Sequence, residues 1–344
     1  MTTPAKTLTF VIPAYNMESY LDRCVNSLLS ASDTSDLEVL IVDDGSKDGT
    51  LEYARKLERN NPGVVRAIHQ ENKGHGGAVN TGIKQATGMY VKVVDADDWV
   101  DPQAIDTVLA TLRAQHDEAE PIDMLVTNYV YDKVTKRHKH VVNFRHAMKP
   151  GVPLTWDDLG RFGLTEYILM HALTFRTQVV RDSGMVLPEH TFYVDFIYAY
   201  QPFPWVKRLQ YLDLPFYHYF IGREGQSVQT DVMIRRVDQL IHVNHCMVQA
   251  TPERGTVPDG LYRYMIHFLA IQSSVTSVFL ILSKDTENYE KKRQLWADMQ
   301  AYSPTIAHDV RSRAMSRALN LRGSVGRWII RRGYTIANRF VGFN

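Results

Sequence analysis

Three carboxylates, Asp95, Asp97 and Asp98, stand within four residues directly after the run Tyr90-Val91-Lys92-Val93-Val94. A short run so rich in β-branched residues reads as a buried strand, and the ends of such strands are where α/β proteins bind ligands. Acids crowded at that point repel one another unless a cation lies among them. Hard oxygen ligands select Mg²⁺ or Mn²⁺, the ions that accompany phosphates. The cluster therefore suits a metal-chelated diphosphate. The competing reading, in which the acids cap the next helix with Pro102 in its first turn, requires one carboxylate and not three.

The acids need a scaffold, and the first hundred residues alternate strand and helix signals with short joins. Strands are expected at Leu8 to Ile12, Glu38 to Val42, Val64 to His69 and Tyr90 to Val94. Between them Leu21, Cys24, Val25, Leu28 and Leu29, then Leu51, Ala54 and Leu57, repeat at helical spacing. That order predicts a mainly parallel sheet flanked by helices, whose strand ends converge on one edge. At those ends stand Pro13-Ala14-Tyr15-Asn16, Asp43-Asp44-Gly45-Ser46, Asn72-Lys73-Gly74 and Asp95-Ala96-Asp97. Neither G-x-G-x-x-G nor G-x-x-x-x-G-K-[ST] follows the first strand, which argues against a dinucleotide-binding or P-loop site. Asp44 to Gly49 imitates a calcium loop, but Arg55 holds the twelfth position, where a bidentate glutamate is required.

Further along, Met124 to Tyr131 and His140 to Phe144 read as a hairpin, and helix dominates from Val232. The segment Tyr264 to Ser283 has 20 residues without a formal charge, long enough to span a bilayer. Its polar residues, and the near-alignment of Met265, Phe268, Leu269, Val275, Phe279 and Leu282, favour a buried helix. With 44% hydrophobic and 22% charged residues the chain is of globular type. Cys24 and Cys246 suggest neither a disulfide framework nor a zinc site, and the N-terminus lacks the apolar core of a signal peptide, so a cytoplasmic setting is expected. The stretch 308–344 carries eight arginines against Asp309 alone, interleaved with Trp328, Ile329 and other apolar residues. It reads equally as a surface for an anionic membrane, such as the inner face of the plasma membrane, or as a basic face packed on the acidic remainder of the chain. Nucleic acid is not an expected partner, because no recognisable module accompanies the charge.

The motifs V-I-P-A-Y-N (11–16), V-D-D-G-S-x-D-G-T (42–50), N-K-G-x-G-G-A-V-N-T-G-I (72–83), D-A-D-D (95–98) and Y-L-D-L-P-F-Y-H-Y (211–219), closing with G-R-E-G-Q-S (222–227), occur in that order. Together they resemble family 2 of the inverting glycosyltransferases, over Thr7 to about Gln229. The resemblance implies a GT-A fold in residues 1–230, with a nucleotide-sugar half to about 120 and an acceptor half from 121, and a helical C-terminal extension over 231–344. It implies a nucleotide-diphosphate sugar donor, a UDP-sugar by the pairing of Tyr15 and Asp44, held by Pro13, Tyr15, Asn16, Asp43, Asp44, Lys73, Gly74, Asp95 and Ala96. Tyr15 would stack on the base, Asp44 would accept from it, and Asp97 would hold Mn²⁺ or Mg²⁺ with His218 as a further ligand. Tyr15 also suits sheet-edge packing, His218 a packed or surface position, and Asp48 a local turn.

The catalytic base implied is Asp195, although the glutamate that usually precedes it is Val194. Two more departures are Val79 and Phe220, each where relatives carry arginine; Lys73 or His75, and Arg223, are the candidate substitutes. The acceptor implied is a glycan or a lipid-linked intermediate in cell-surface polysaccharide synthesis. Two rivals remain: a donor-binding partner subunit without turnover, suggested by Val194 and Val79, and a sugar nucleotidyltransferase, which would need a Gly-rich basic loop in place of Pro13 to Asn16.

Overall fold

The computed structural model describes residues 6–133, 139–221, 229–319 and 323–341. The strands are β1 (Leu8–Ala14), β2 (Leu37–Asp43), β3 (Val65–His69), β4 (Tyr90–Val93), β5 (Trp99–Val100), β6 (Met124–Lys133), β7 (His140–Val142), β8 (Pro153–Leu154), β9 (Leu173–Arg176) and β10 (Leu209–Ile221). The helices are α1 (Glu18–Leu28), α2 (Thr50–Asn60), α3 (Gly74–Gln85), α4 (Ile105–Arg113), α5 (Thr177–Asp182), α6 (Asp195–Tyr198), α7 (Thr230–Arg235), α8 (Val237–Ala250), α9 (Asp259–Leu282), α10 (Thr286–Tyr302), α11 (Pro304–Ser312), α12 (Ala314–Leu319) and α13 (Gly323–Val341). They form two compact units. The first comprises residues 1–160, 168–194 and 205–221; the second comprises 161–167, 195–204 and 222–344.

The first unit is a sheet in the order β3-β2-β1-β4-β9-β6-β10-β5, with β7 paired to β6 and β8 to β10. The four expected strands run parallel to one another. Every residue of β1 and β2 is buried, as strands covered on both faces must be, which is why they read as mostly apolar runs; the polar pair inside them, Thr9 and Glu38, bond each other (2.7 Å). The expected hairpin is β6 and β7. Beyond β4 the sheet becomes mixed, because β9 is inserted antiparallel between β4 and β6 while β10 runs parallel to β6. Two register shifts flank Pro215 in β10, a residue that cannot donate to the ladder.

Helix α3 lies tight on β1. A Cβ built on Gly82 would stand 2.1 Å from Val11 Cγ1. Helix propensity alone would make Gly82→Ala stabilising by about 1 kcal/mol. Overpacking against a fixed strand outweighs it, and we expect a net loss of about 1–2 kcal/mol, read from the urea midpoint and partly recovered by adding Val11→Ala.

The second unit is helical. Its central helix α9 is long and apolar enough to cross a membrane, and most of it is buried, as expected for the charge-free segment; Val275 and Leu282 are half-buried. Helices α8, α10, α11, α12 and α13 pack around it. Several of its polar groups are bonded inside the bundle: Asn244 of α8 donates to Gln272 and to Ser273 Oγ (2.8 Å), and Gln272 Nε2 donates to the Leu240 carbonyl (3.1 Å), while Asn244 Oδ1 and Ser274 Oγ are buried without a hydrogen-bond partner. These directional bonds hold α8 in one register on α9.

Candidate functional site

The turns after β1, β2 and β3 are tied to one another by side chains from the motifs. Asn16, at φ 54°, donates its backbone N–H to Ser46 Oγ (3.0 Å) and accepts from the Lys47 N–H through Oδ1 (2.9 Å). Asp43 closes β2 opposite Ala14, and its buried carboxylate meets His69 Nδ1 at 2.6 Å. Asp44, also buried, accepts from the Lys73 N–H (2.8 Å) and Gln70 Nε2 (2.6 Å) through a single oxygen, Oδ1. Pro13 and Ala14 lie in the buried end of β1, whereas Tyr15 is 42% exposed, a ring available at the edge of the site. Asp48 has the local role expected of it, accepting from the Thr50 N–H (3.0 Å) and hydroxyl (2.5 Å).

Gly74 opens α3 at φ 74°, and a Cβ there would stand 2.8 Å from the His190 nitrogen. Glycine is required on both counts. Lys73 accepts the His190 N–H at its carbonyl (2.9 Å), and its ammonium faces Glu189 at 3.5 Å. Asn80 fastens the same segment through paired bonds to the Leu187 N–H and carbonyl, both 2.9 Å. Much of the N-K-G-x-G-G-A-V-N motif therefore serves to dock residues 187–190 on α3.

The acids after β4 are held from three directions. Asp95 Oδ1 lies 2.8 Å from His75 Nε2, and the Asp95 N–H donates to the Tyr217 hydroxyl (3.2 Å). That hydroxyl donates to Asp98 Oδ2 (2.5 Å), while the Phe220 N–H donates to Asp98 Oδ1 (2.8 Å). The Asp97 carbonyl accepts from Arg23 Nη2 of α1 (2.6 Å). The same guanidinium lies over the rings of Trp99 (3.9 Å) and Phe220 (4.7 Å). Position 220 lacks an arginine, yet a guanidinium from α1 rests on its ring. Burial, then the charges of Asp97 and Asp95, push the Asp98 carboxyl well above the usual carboxylate range.

A histidine not expected from the sequence completes this cluster. Among the described residues, carboxylate oxygens of Asp95 and Asp98 and a ring nitrogen of His171 lie within 4.8 Å of one another. His171 is buried, its Nδ1 has no hydrogen-bond partner, and it stacks on Tyr219 at 4.4 Å. Burial lowers its pKa to about 4, so the ring is neutral near pH 7, the state in which histidine ligates metals. Lys92, wholly buried in β4, fixes the backbone around it by donating to the His171 and Leu173 carbonyls (2.7 and 3.1 Å). Burial lowers that ammonium to about 7. His218 stands elsewhere, stacked on Trp99 at 5.1 Å between Asp132 (3.3 Å) and Asp101 (3.8 Å). The residues at the acid cluster fit a hard divalent cation: acids crowded in a buried setting, beside a neutral imidazole with an orphaned nitrogen.

Asp195 belongs to the second unit. It begins the one-turn helix α6, its carbonyl accepting from the Ala199 N–H (2.9 Å). Val194, at the position of the missing glutamate, is only 2% exposed and packs as a core residue. Tyr193 just before it sits at φ 66°, a rare conformation for a bulky residue and a sign of a constrained turn. The motif Gly222 to Ser227, with Arg223, lies outside the described residues.

A mixed, mostly parallel sheet flanked by helices, with acids gathered at its strand ends, defines a GT-A domain. Its overall likeness is to the S. aureus TarS 1–349 structure solved with UDP-GlcNAc, at TM-score 0.68 and 21% identity over 95% of this chain and 92% of that one. The mannosyltransferase PcManGT of Pyrobaculum calidifontis, solved with GDP-Man and Mn²⁺, aligns at TM-score 0.53 and 16% identity over 94% and 86%. Residues 9–162 match the model of glycosyl transferase family 2. Chondroitin synthase of Escherichia coli is 43% identical over 106 residues, 31% of this chain but 15% of that protein. The uncharacterized glycosyltransferase YibD of Escherichia coli K12 is 29% identical over 225 residues, 64% of this chain and 63% of that one.

Proposed function

We propose that the chain is a metal-dependent inverting glycosyltransferase, moving a sugar from a UDP-sugar to a hydroxyl of a glycan or lipid-linked acceptor in cell-surface polysaccharide synthesis. The observation that carries this reading is the gathering, after β4, of Asp95, Asp98 and His171, whose buried Nδ1 has no hydrogen-bond partner. Uridine is favoured by an exposed Tyr15 ring and a buried Asp44 whose N–H donates to the neighbouring Ala14 carbonyl (2.8 Å), and by the UDP-GlcNAc that TarS binds. In this scheme Tyr15 stacks on the base, Asp43 and Asp44 shape its polar edge, and the backbone at Pro13, Asn16, Lys73, Gly74 and Ala96 lines the donor site. Asp95 faces the ribose or sugar. Asp97, Asp98 and His171 are the groups that would hold Mn²⁺ or Mg²⁺ with it. The cation supplies neutralisation of charge on the departing diphosphate.

The remaining chemistry belongs to side chains. Asp195 Oδ takes the proton of the acceptor hydroxyl as that oxygen bonds to the anomeric carbon; the bond from that carbon to the diphosphate breaks, UDP leaves, and the configuration inverts. Positioning carries much of the acceleration, because the leaving group is already good. The buried Val194 favours one second reading, a donor-binding partner subunit without turnover.

A thermal-shift series with UDP, GDP, CDP, ADP and TDP, each with and without Mn²⁺, tests the donor assignment. We expect a metal-dependent rise with UDP that exceeds the others; at a hundred times its Kd a ligand stabilises by about 2.7 kcal/mol. No rise with any of them would leave the donor reading without support.

A further inference from the structure

Helix α13 has two faces with different surroundings. On one, Ile330 is buried, Tyr334 meets the Phe279 ring at 5.9 Å and bonds Thr230 (2.8 Å), and Arg331 donates to the Ile281 carbonyl (3.2 Å) and to the Tyr289 hydroxyl. Arg327 lies 4.8 Å from the centre of the Tyr289 ring. The inward arginines are thus held by α9 and α10. The other face carries Val325, Trp328, Ile329 and Arg332, at spacings of three, four and seven residues that align them on one side. Val325 is 69% exposed, Trp328 59% and Ile329 45%, and the Arg332 guanidinium lies 5.8 Å from the Trp328 ring centre. Large apolar side chains aligned in water mark an interaction surface.

The charge around that stripe selects its partner. From residue 310 to 344 there is no Asp or Glu, and all eight arginines of the C-terminal stretch lie there. A second copy docking by the same face would bring Arg332 toward its own counterpart with no acid of this stretch to pair it, because a two-fold contact pairs a patch with itself. An anionic bilayer meets both demands, apolar depth for Trp328, Ile329 and Val325 and phosphates for Arg332 beside them. We propose that α13 lies in the plane of an anionic lipid surface, with Val325, Trp328 and Ile329 entering the acyl boundary and Arg332 at the headgroups. This inference stands on the second unit alone and does not depend on the sugar-transfer reading.

Co-sedimentation of the full chain with phosphatidylglycerol-containing vesicles, against pure phosphatidylcholine vesicles, tests it. The expected result is binding to the anionic vesicles that weakens in salt. The triple replacement Val325→Ser, Trp328→Ser and Ile329→Ser should lower it about ten-fold or more, and Arg332→Glu should lower it too. These side chains face solvent, so circular dichroism should match wild type for both variants. Failure of the wild-type chain to bind anionic vesicles, or binding undiminished in the triple variant, would overturn the proposal. So would lipid-free self-association that the triple replacement abolishes, since that would assign the face to a second copy.

Discussion

Asp195→Asn is expected to lower sugar transfer by about 10²–10⁴-fold while leaving UDP affinity within about two-fold. An amide of the same shape cannot take the acceptor's proton. The one-turn helix α6 should survive, because its bond to Ala199 comes from the Asp195 carbonyl and not from the side chain. Losing a carboxylate at a helix start costs about 0.3–1 kcal/mol, too little to unfold the chain. Initial rates with a labelled donor, set beside calorimetric UDP binding, separate the outcomes. Unchanged transfer would move the base elsewhere, and weakened UDP binding would place Asp195 in donor recognition. A wild-type chain that binds donor but transfers nothing would favour the partner-subunit reading.

Chelation is the second large effect. EDTA should abolish transfer and the UDP-induced thermal shift, and added Mn²⁺ or Mg²⁺ should restore both. Asp97→Ala and His171→Gln should each weaken metal affinity by more than about ten-fold, since even outer-shell partners of metal ligands are worth about 10–100-fold. His218→Gln should leave it within about three-fold, because that ring is stacked on Trp99 between Asp101 and Asp132. The contrast between the two histidine variants decides the assignment, and reversed results would restore His218 to the metal.

Much of the fold was legible because its strongest signals are local. β1 and β2 are buried on both faces and show as mostly apolar runs, and the turns after β2 and β4 carry their acids within a few residues. The hairpin of β6 and β7 was readable for the same reason, as was the local role of Asp48. What escaped depends on distant pairing. Asp213 and Pro215 break the alternation of β10, so its 13 residues read as a motif and not as a strand. β9 is four residues long, and nothing in its own composition announces insertion between β4 and β6. His171 precedes it, and the one available hint was an ionisable ring inside the apolar stretch from Ile168 to Phe175. Nor does the sequence mark that the chain leaves the sheet unit after Val194, so that Asp195 belongs to the other.

The insertion of β9 also bears on the order in which the site comes into being. A nascent chain released as far as residue 162 holds all the strand-end acids of the family-matched region, yet neither His171 nor the Tyr217 hydroxyl that bonds Asp98. Contacts between residues so far apart form slowly, since the intervening chain must first be closed into a loop. Synthesis therefore exposes a cluster of mutually repelling carboxylates well before the groups that steady it arrive, and the cluster gains its support only once the later strands are in place.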